Sequence, residues 1–140
     1  MTDYEFKALG KSTRTPSREL ETFPAPASVT RVVLESDEVT SLCPVTGQPD
    51  WDMVRIEYEP RDLCIESKSL KLYLWSFREE GVFCEAFAAR IAKDIFDTIK
   101  PKSVIVTVTQ KPRGGITICA EAKLLETNQT KSPEKHQNDG

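Results

Sequence analysis

Cys43 and Asp50 lie seven residues apart in the stretch Leu42-Cys43-Pro44-Val45-Thr46-Gly47-Gln48-Pro49-Asp50. A thiol and a carboxyl at the two ends of one turn can act as nucleophile and proton donor on the same substrate. The loop between them is built to hold a shape: Pro44 and Pro49 restrict the backbone, Gly47 allows a tight bend, and a strand-like run starts at Trp51. The alternative for Cys43 is a small apolar side chain filling a gap, and for Asp50 a residue that closes the turn.

The elements that must position this pair follow from periodicity. Thr30 to Leu34 is a short β-branched run that suggests an edge strand, and Trp51 to Glu59 is a half-buried strand with Val54, Ile56 and Tyr58 on one face. Leu63 to Ile65 begins a further strand after a turn at Pro60. Ser69 to Glu80 favours a helix, with Leu70, Leu74 and Phe77 at helical spacing and Gly81 at its end. A longer helix follows, in which Phe83, Phe87, Ile91 and Ile95 step by four and Pro101 lies just beyond the end. Val104, Val106 and Val108 then alternate, and after a turn over Lys111 to Gly115 the run of Ile116, Ile118 and Ala120 completes a hairpin. Strands, two helices and a closing hairpin are best buried as an α+β fold of two layers, an antiparallel sheet with two helices on one face. Residues 1–28, with Pro16, Pro24 and Pro26, read as an irregular arm. Residues 29–126 form the domain, and the polar residues 127–140 read as a disordered tail.

At 140 residues the chain has room for one core, not for separate cofactor and substrate domains. Its 19 basic and 22 acidic residues leave a formal charge of −3, against a direct nucleic-acid partner. Met1 to Leu20 is polar and charged, no apolar run reaches the length of a membrane span, and a cytoplasmic protein is the expectation. Cysteines 43, 64, 84 and 119 lack the paired spacing of a structural zinc site, so no metal is expected and the thiols are expected to stay reduced.

Taken with Glu66-Ser67-Lys68-Ser69-Leu70-Lys71-Leu72-Tyr73, then Ser76-Phe77-Arg78, Phe83, Glu85 and Pro112-Arg113-Gly114-Gly115, the loop resembles the short, single-domain NADPH-dependent 7-cyano-7-deazaguanine reductases, the nitrile reductases of queuosine biosynthesis. The likeness runs in order from about Ser41 to Ile118. It implies the tunnelling fold, or T-fold, in which the sheets of several subunits close a barrel. It also implies a homo-oligomer with sites at subunit interfaces, for short members a decamer of two pentamers. By the same resemblance Cys43 adds to the nitrile to give a thioimide, Asp50 is the general acid, and two NADPH act in succession as co-substrate. Glu85 would hold the deazapurine through a bidentate carboxylate, with Cys84 and Glu66 beside it, and Ser67, Lys68, Lys71, Arg113 and Gly114 would bind the cofactor.

Read without the resemblance, Glu85 is an acidic residue in the first turn of a helix, and the lysines are a solvated face. No Gly-x-Gly-x-x-Gly follows a strand, so a Rossmann site is not expected. One departure concerns Phe83-Cys84-Glu85, where the family usually has Phe-His-Glu. Cys84 cannot become a cation near neutral pH, and if it approached Cys43 the two could form a disulfide. Two other functions fit the same residues: a related amidinotransferase that adds ammonia, which should lack the Glu-Ser-Lys motif, and a non-reducing protein that binds the deazapurine.

Overall fold

A computed structural model of the chain describes residues 15–126. The expectations for residues 1–14 and for the tail from 127 onward lie outside the described residues. The elements run β1 (Thr22–Pro24), β2 (Val32–Leu42), β3 (Pro49–Glu59), β4 (Leu63–Ile65), α1 (Ser67–Trp75), α2 (Cys84–Ile99), β5 (Ser103–Arg113) and β6 (Ile116–Leu125). Four strands form one antiparallel sheet in the order β2-β3-β5-β6, and β1 pairs with β4 in a separate two-stranded ribbon. This is the α+β architecture expected.

Alternation in β3 and β5 decides which way the sheet faces. Val54, Ile56 and Tyr58 and their neighbours Val104, Val106 and Val108 point to one side and are buried. Phe87, Ile91, Ile95 and Ile99 of α2 close over them. Each fully buried aliphatic side chain of this kind contributes roughly 1.5–3 kcal/mol relative to leaving it in water. Leu70, Tyr73 and Leu74 of α1 belong to the same core, so both helices cover one face. The other face keeps Trp51 and Met53 of β3 about half exposed.

Three local expectations are corrected. The first long strand is not confined to Thr30–Leu34 but runs to Leu42, with an irregularity between Ser36 and Val39. Glu35, Ser36, Asp37 and Glu38 have poor strand propensity, and pairing with β3 overrides it. Helix α1 stops at Trp75, not Glu80. Successive i to i+3 bonds from Phe77, Arg78 and Glu80 turn the chain so that Phe77 enters the core. Phe83, counted into the apolar stripe, instead occupies the N-cap of α2 and is 56% exposed.

The stretch read as an irregular arm contributes β1, whose Phe23 pairs with Cys64. Ahead of it Ser17 N donates to Leu72 O of α1. Arg18 lays its guanidinium over the Phe77 ring, 3.7 Å from the centroid, and also contacts Ser76 Oγ and Glu80 Oε1.

Candidate active site

The turn from Cys43 to Gln48 joins β2 to β3 and is closed by its own backbone. Cys43 N donates to Gln48 O (2.8 Å), Gly47 N donates to Cys43 O (2.8 Å), and Gly47 takes a left-handed φ of 73°. A second layer supports it from behind: Leu42 N bonds Glu80 O, Val82 N bonds Leu42 O, and Gly81 lies so close to Pro44 that a Cβ there would stand 3.2 Å from the Pro44 Cα. Cys43 is therefore held in place and is only 7% exposed.

The surroundings of the sulfur favour the thiolate. Its pKa is lowered from 9.0 to about 6, first by the Thr46 side chain, then by the Thr46 N–H (3.5 Å from Sγ), the Arg113 guanidinium and the Val45 N–H, against a smaller opposing effect of burial. Arg113 reaches the thiol from the other hairpin. It ends β5, and Gly114 and Gly115 make the two-residue turn into β6 with φ of 62° and 80°. That pair of left-handed residues is what a type I′ turn requires.

Asp50 completes the group. As the second residue of β3 it points to the core side and is 3% exposed. Arg113 Nε lies 3.0 Å from its Oδ1, off the axis of a hydrogen bond, so that this buried oxygen has no hydrogen-bond partner among the described residues. A buried carboxyl oxygen left open beside a nucleophile is where a substrate proton acceptor can dock. Thiol, carboxyl and guanidinium are thus brought together from two hairpins.

The remaining candidates are placed differently. Ser67, Lys68 and Lys71 line a cavity of about 890 Å³ between α1 and β2, whose walls include Leu34, Val39, Ile56, Leu70 and Trp75. Neither Arg113 nor Cys43 lines it, so the residues expected to bind the cofactor are divided between the cavity and the thiol. Glu66 spends both carboxylate oxygens on the start of α1, accepting from Lys68 N (2.8 Å) and Ser69 N (2.7 Å), and is buried. It is the helix cap, and through the cap it orients Lys68. Glu85 is exposed in the first turn of α2. Cys84 is buried, its thiol donating to Val108 O (3.3 Å), and its pKa is pushed up to about 11, chiefly by burial and then by the charge of Asp52. The four cysteines are free thiols.

Sequence reasoning missed a buried polar cluster behind the site. Asp52, 2% exposed, accepts from Ser41 Oγ (3.2 Å) and Gln110 Nε2 (3.2 Å). The signal was available: residues two apart in a strand share a face, so a core-side Asp50 entails a core-side Asp52.

These features define an α+β protein with an activated thiol and a buried carboxyl at one end of its sheet. The family described as QueF-like protein matches residues 49–129. The chain is 48% identical over 103 residues to the NADPH-dependent 7-cyano-7-deazaguanine reductase of Anaeromyxobacter sp. (strain Fw109-5), covering 72% of this chain and 84% of that protein. It is 43% identical over 125 residues to the protein of the same name from Syntrophus aciditrophicus (strain SB), covering 88% and 89%. Among solved structures, the archaeosine synthase QueF-Like in its apo form superposes with a TM-score of 0.65 at 25% identity, covering 69% of this chain and 94% of that one. The chain belongs to the QueF-like family.

Proposed function

We propose that this chain is an NADPH-dependent nitrile reductase that converts 7-cyano-7-deazaguanine to 7-aminomethyl-7-deazaguanine, a step of queuosine biosynthesis. The observation that carries the reading is the Cys43 thiol, lowered to about 6 and held beside the buried Asp50 carboxyl by a shared Arg113. A nitrile carbon is a weak electrophile. Addition of the Cys43 thiolate converts it to a thioimide, and Asp50 supplies the proton that the nitrogen needs as the bond forms. Arg113 stabilises the Cys43 thiolate and lies against Asp50.

NADPH supplies hydride when bound. The cavity under α1 fits such a group: an apolar floor for an aromatic ring and, at the rim, Lys68 and Lys71 one helical turn apart for phosphates. This lysine motif favours reduction over ammonia addition. Arg113 and Gly114 would meet the cofactor at the thiol end, and Glu85, exposed beside Phe83, would meet the heterocycle with Cys84 behind it.

Assembly into a ring of subunits, and into a decamer of two pentamers, is part of the same proposal. It is supported by β2 and β6 standing as the outer strands of the four-stranded sheet among the described residues and by the exposure of Trp51, Met53, Phe83 and Ile116. No helix among the described residues is long and apolar enough to cross a membrane. A cytoplasmic location agrees with the substrate.

The test is to mix the protein with 7-cyano-7-deazaguanine and NADPH and follow nicotinamide absorbance. Two NADPH consumed per nitrile, with none consumed by Cys43→Ala, is expected. Adduct formation without oxidation would overturn the reductase reading.

A further inference from the structure

We infer that Asp52 is the proton store for Asp50: a second buried carboxyl, held by Ser41 and Gln110, from which Asp50 recovers the proton it has given to the substrate nitrogen. The inference deepens the proposed nitrile reduction and rests on it.

Proton balance creates the need. Turning R–C≡N into R–CH2–NH2 adds two hydrides to carbon and two protons to nitrogen. The Cys43 S–C bond forms in the first step and breaks when the thiohemiaminal expels the thiolate and leaves an iminium, R–CH=NH2+, which takes the second hydride with no further proton. The hydrides come from two NADPH, each oxidised to NADP+. The protons must pass through an acid, and Asp50 holds only one. After protonating the thioimide nitrogen it is a carboxylate, and it must be reloaded before the second proton is due.

Geometry places a donor next to it. Asp50 and Asp52 are on the same face of β3, roughly 7 Å apart along the strand. Both are buried, at 3% and 2% exposure. Ser41 is the cross-strand partner of Asp50, yet its hydroxyl bonds Asp52 Oδ2, so that one side chain ties the two positions. Gln110, the cross-strand partner of Asp52 on β5, bonds Oδ1.

The two carboxyls are not equivalent. Arg113 stands beside Asp50, whereas both hydrogen-bond donors to Asp52 are neutral. The α2 residue that interacts with Asp52 is Cys84, itself a neutral thiol. Burial raises the pKa of Asp52 most, and the charge of Asp50 raises it further, while the Gln110 and Ser41 bonds lower it. Burial among neutral partners thus biases Asp52 toward its protonated form. Ser41, opposite Asp50 on β2 and bonded to Asp52, is the group through which the proton would pass.

The test compares wild type with Asp52→Asn, which is isosteric and carries no acidic proton. Thioimide formation is read by intact mass after mixing with the nitrile alone, and kcat for NADPH oxidation is read from pH 5.5 to 8.5. The expected result is an adduct rate within about threefold of wild type and a kcat lower by about tenfold or more, the gap widening as pH rises and bulk protons become scarce. A variant with wild-type kcat at every pH overturns the inference. So does an equal fall in adduct rate and kcat that is independent of pH, the signature of a purely structural residue. If Asp52→Asn fails to fold, Ser41→Ala removes one bond only and carries the test: kcat falls with adduct formation intact, and an unchanged kcat overturns the proposal. Failure of wild type to form any adduct would overturn the Cys43 reading itself and is thereby distinguished from failure of the Asp52 inference.

Discussion

The pKa of Cys43 can be measured directly, by following alkylation with iodoacetamide as a function of pH and locating the modified residue by peptide mass. A Cys119→Ser background removes the exposed thiol that would otherwise react alongside it. With a pKa of about 6, Cys43 carries about ten thiolates per thiol at pH 7, whereas at its ordinary value of 9.0 only about one in a hundred would be ionised. That is roughly a ninetyfold gain in thiolate. A less basic thiolate is also a poorer nucleophile, and with a Brønsted slope of about 0.4–0.5 over three pKa units the loss is roughly 16- to 30-fold. The net rate gain at pH 7 is only about three- to sixfold, so the diagnostic quantity is the midpoint of the pH profile, not the rate. We expect a midpoint near 6 in wild type. Thr46→Val should raise it more than Arg113→Gln, because the Thr46 side chain contributes the largest lowering and Arg113 a smaller one. A wild-type midpoint near 9, or the reverse order of the two variants, would refute the account of how this turn activates sulfur.

Two further predictions concern the scaffold. Glu66→Ala should cost about 2 kcal/mol by urea denaturation, toward the upper end for a helix cap, because two N–H groups lose their acceptor at a buried site. It should also raise KM for NADPH by disordering Lys68, and an unchanged stability would show that water replaces the cap. Arg18→Ala removes a cation–π contact and an ion pair whose side chains are both more than a third exposed, together worth about 1 kcal/mol, or about 3–5 °C in thermal midpoint. Because Glu80 O supports Leu42, the same variant should slow Cys43 alkylation or shift its midpoint, and a fall in stability with an unaltered thiol would separate the arm from the site.

How much of this was legible in the sequence depended on the range of the interactions. The core-facing valines of β3 and β5 and the stripe of α2 are local patterns, and they could be read because burial repeats with the period of the element. The length of β2 could not be. Its Glu35 to Glu38 segment is strand only because β3 lies beside it, a pairing that no local propensity records. The end of α1 was misread for a similar reason: Phe77 fits a helical stripe at i+3 from Leu74, yet it reaches the core by a turn, with Arg18 from the distant N-terminal segment stacked upon it. At the site, Cys43 and Asp50 were found because one turn contains both. The approach of Arg113 to the thiol, the cap role of Glu66 and the burial of Cys84 each required contacts that only the fold supplies.

The sheet explains why those contacts gather at one place. Antiparallel pairing of β3 with β5 sets Asp52 opposite Gln110, so the start of β3 and the end of β5 fall at the same end of the sheet. The turn that holds Cys43 leads into the former and the turn that follows Arg113 leaves the latter. The first turn of α2 arrives there too, tethered by Cys84 to Val108 O, and brings the positive end of its dipole. A thiolate and a carboxylate concentrated at this end would repel one another in isolation. Arg113 offsets that repulsion at Cys43, while Asp52 faces neutral donors and burial raises its pKa. One arrangement of backbone thus gives two neighbouring aspartates different partners, a guanidinium for Asp50 and a neutral hydroxyl and amide for Asp52, the asymmetry on which the proposed acid and reserve rest.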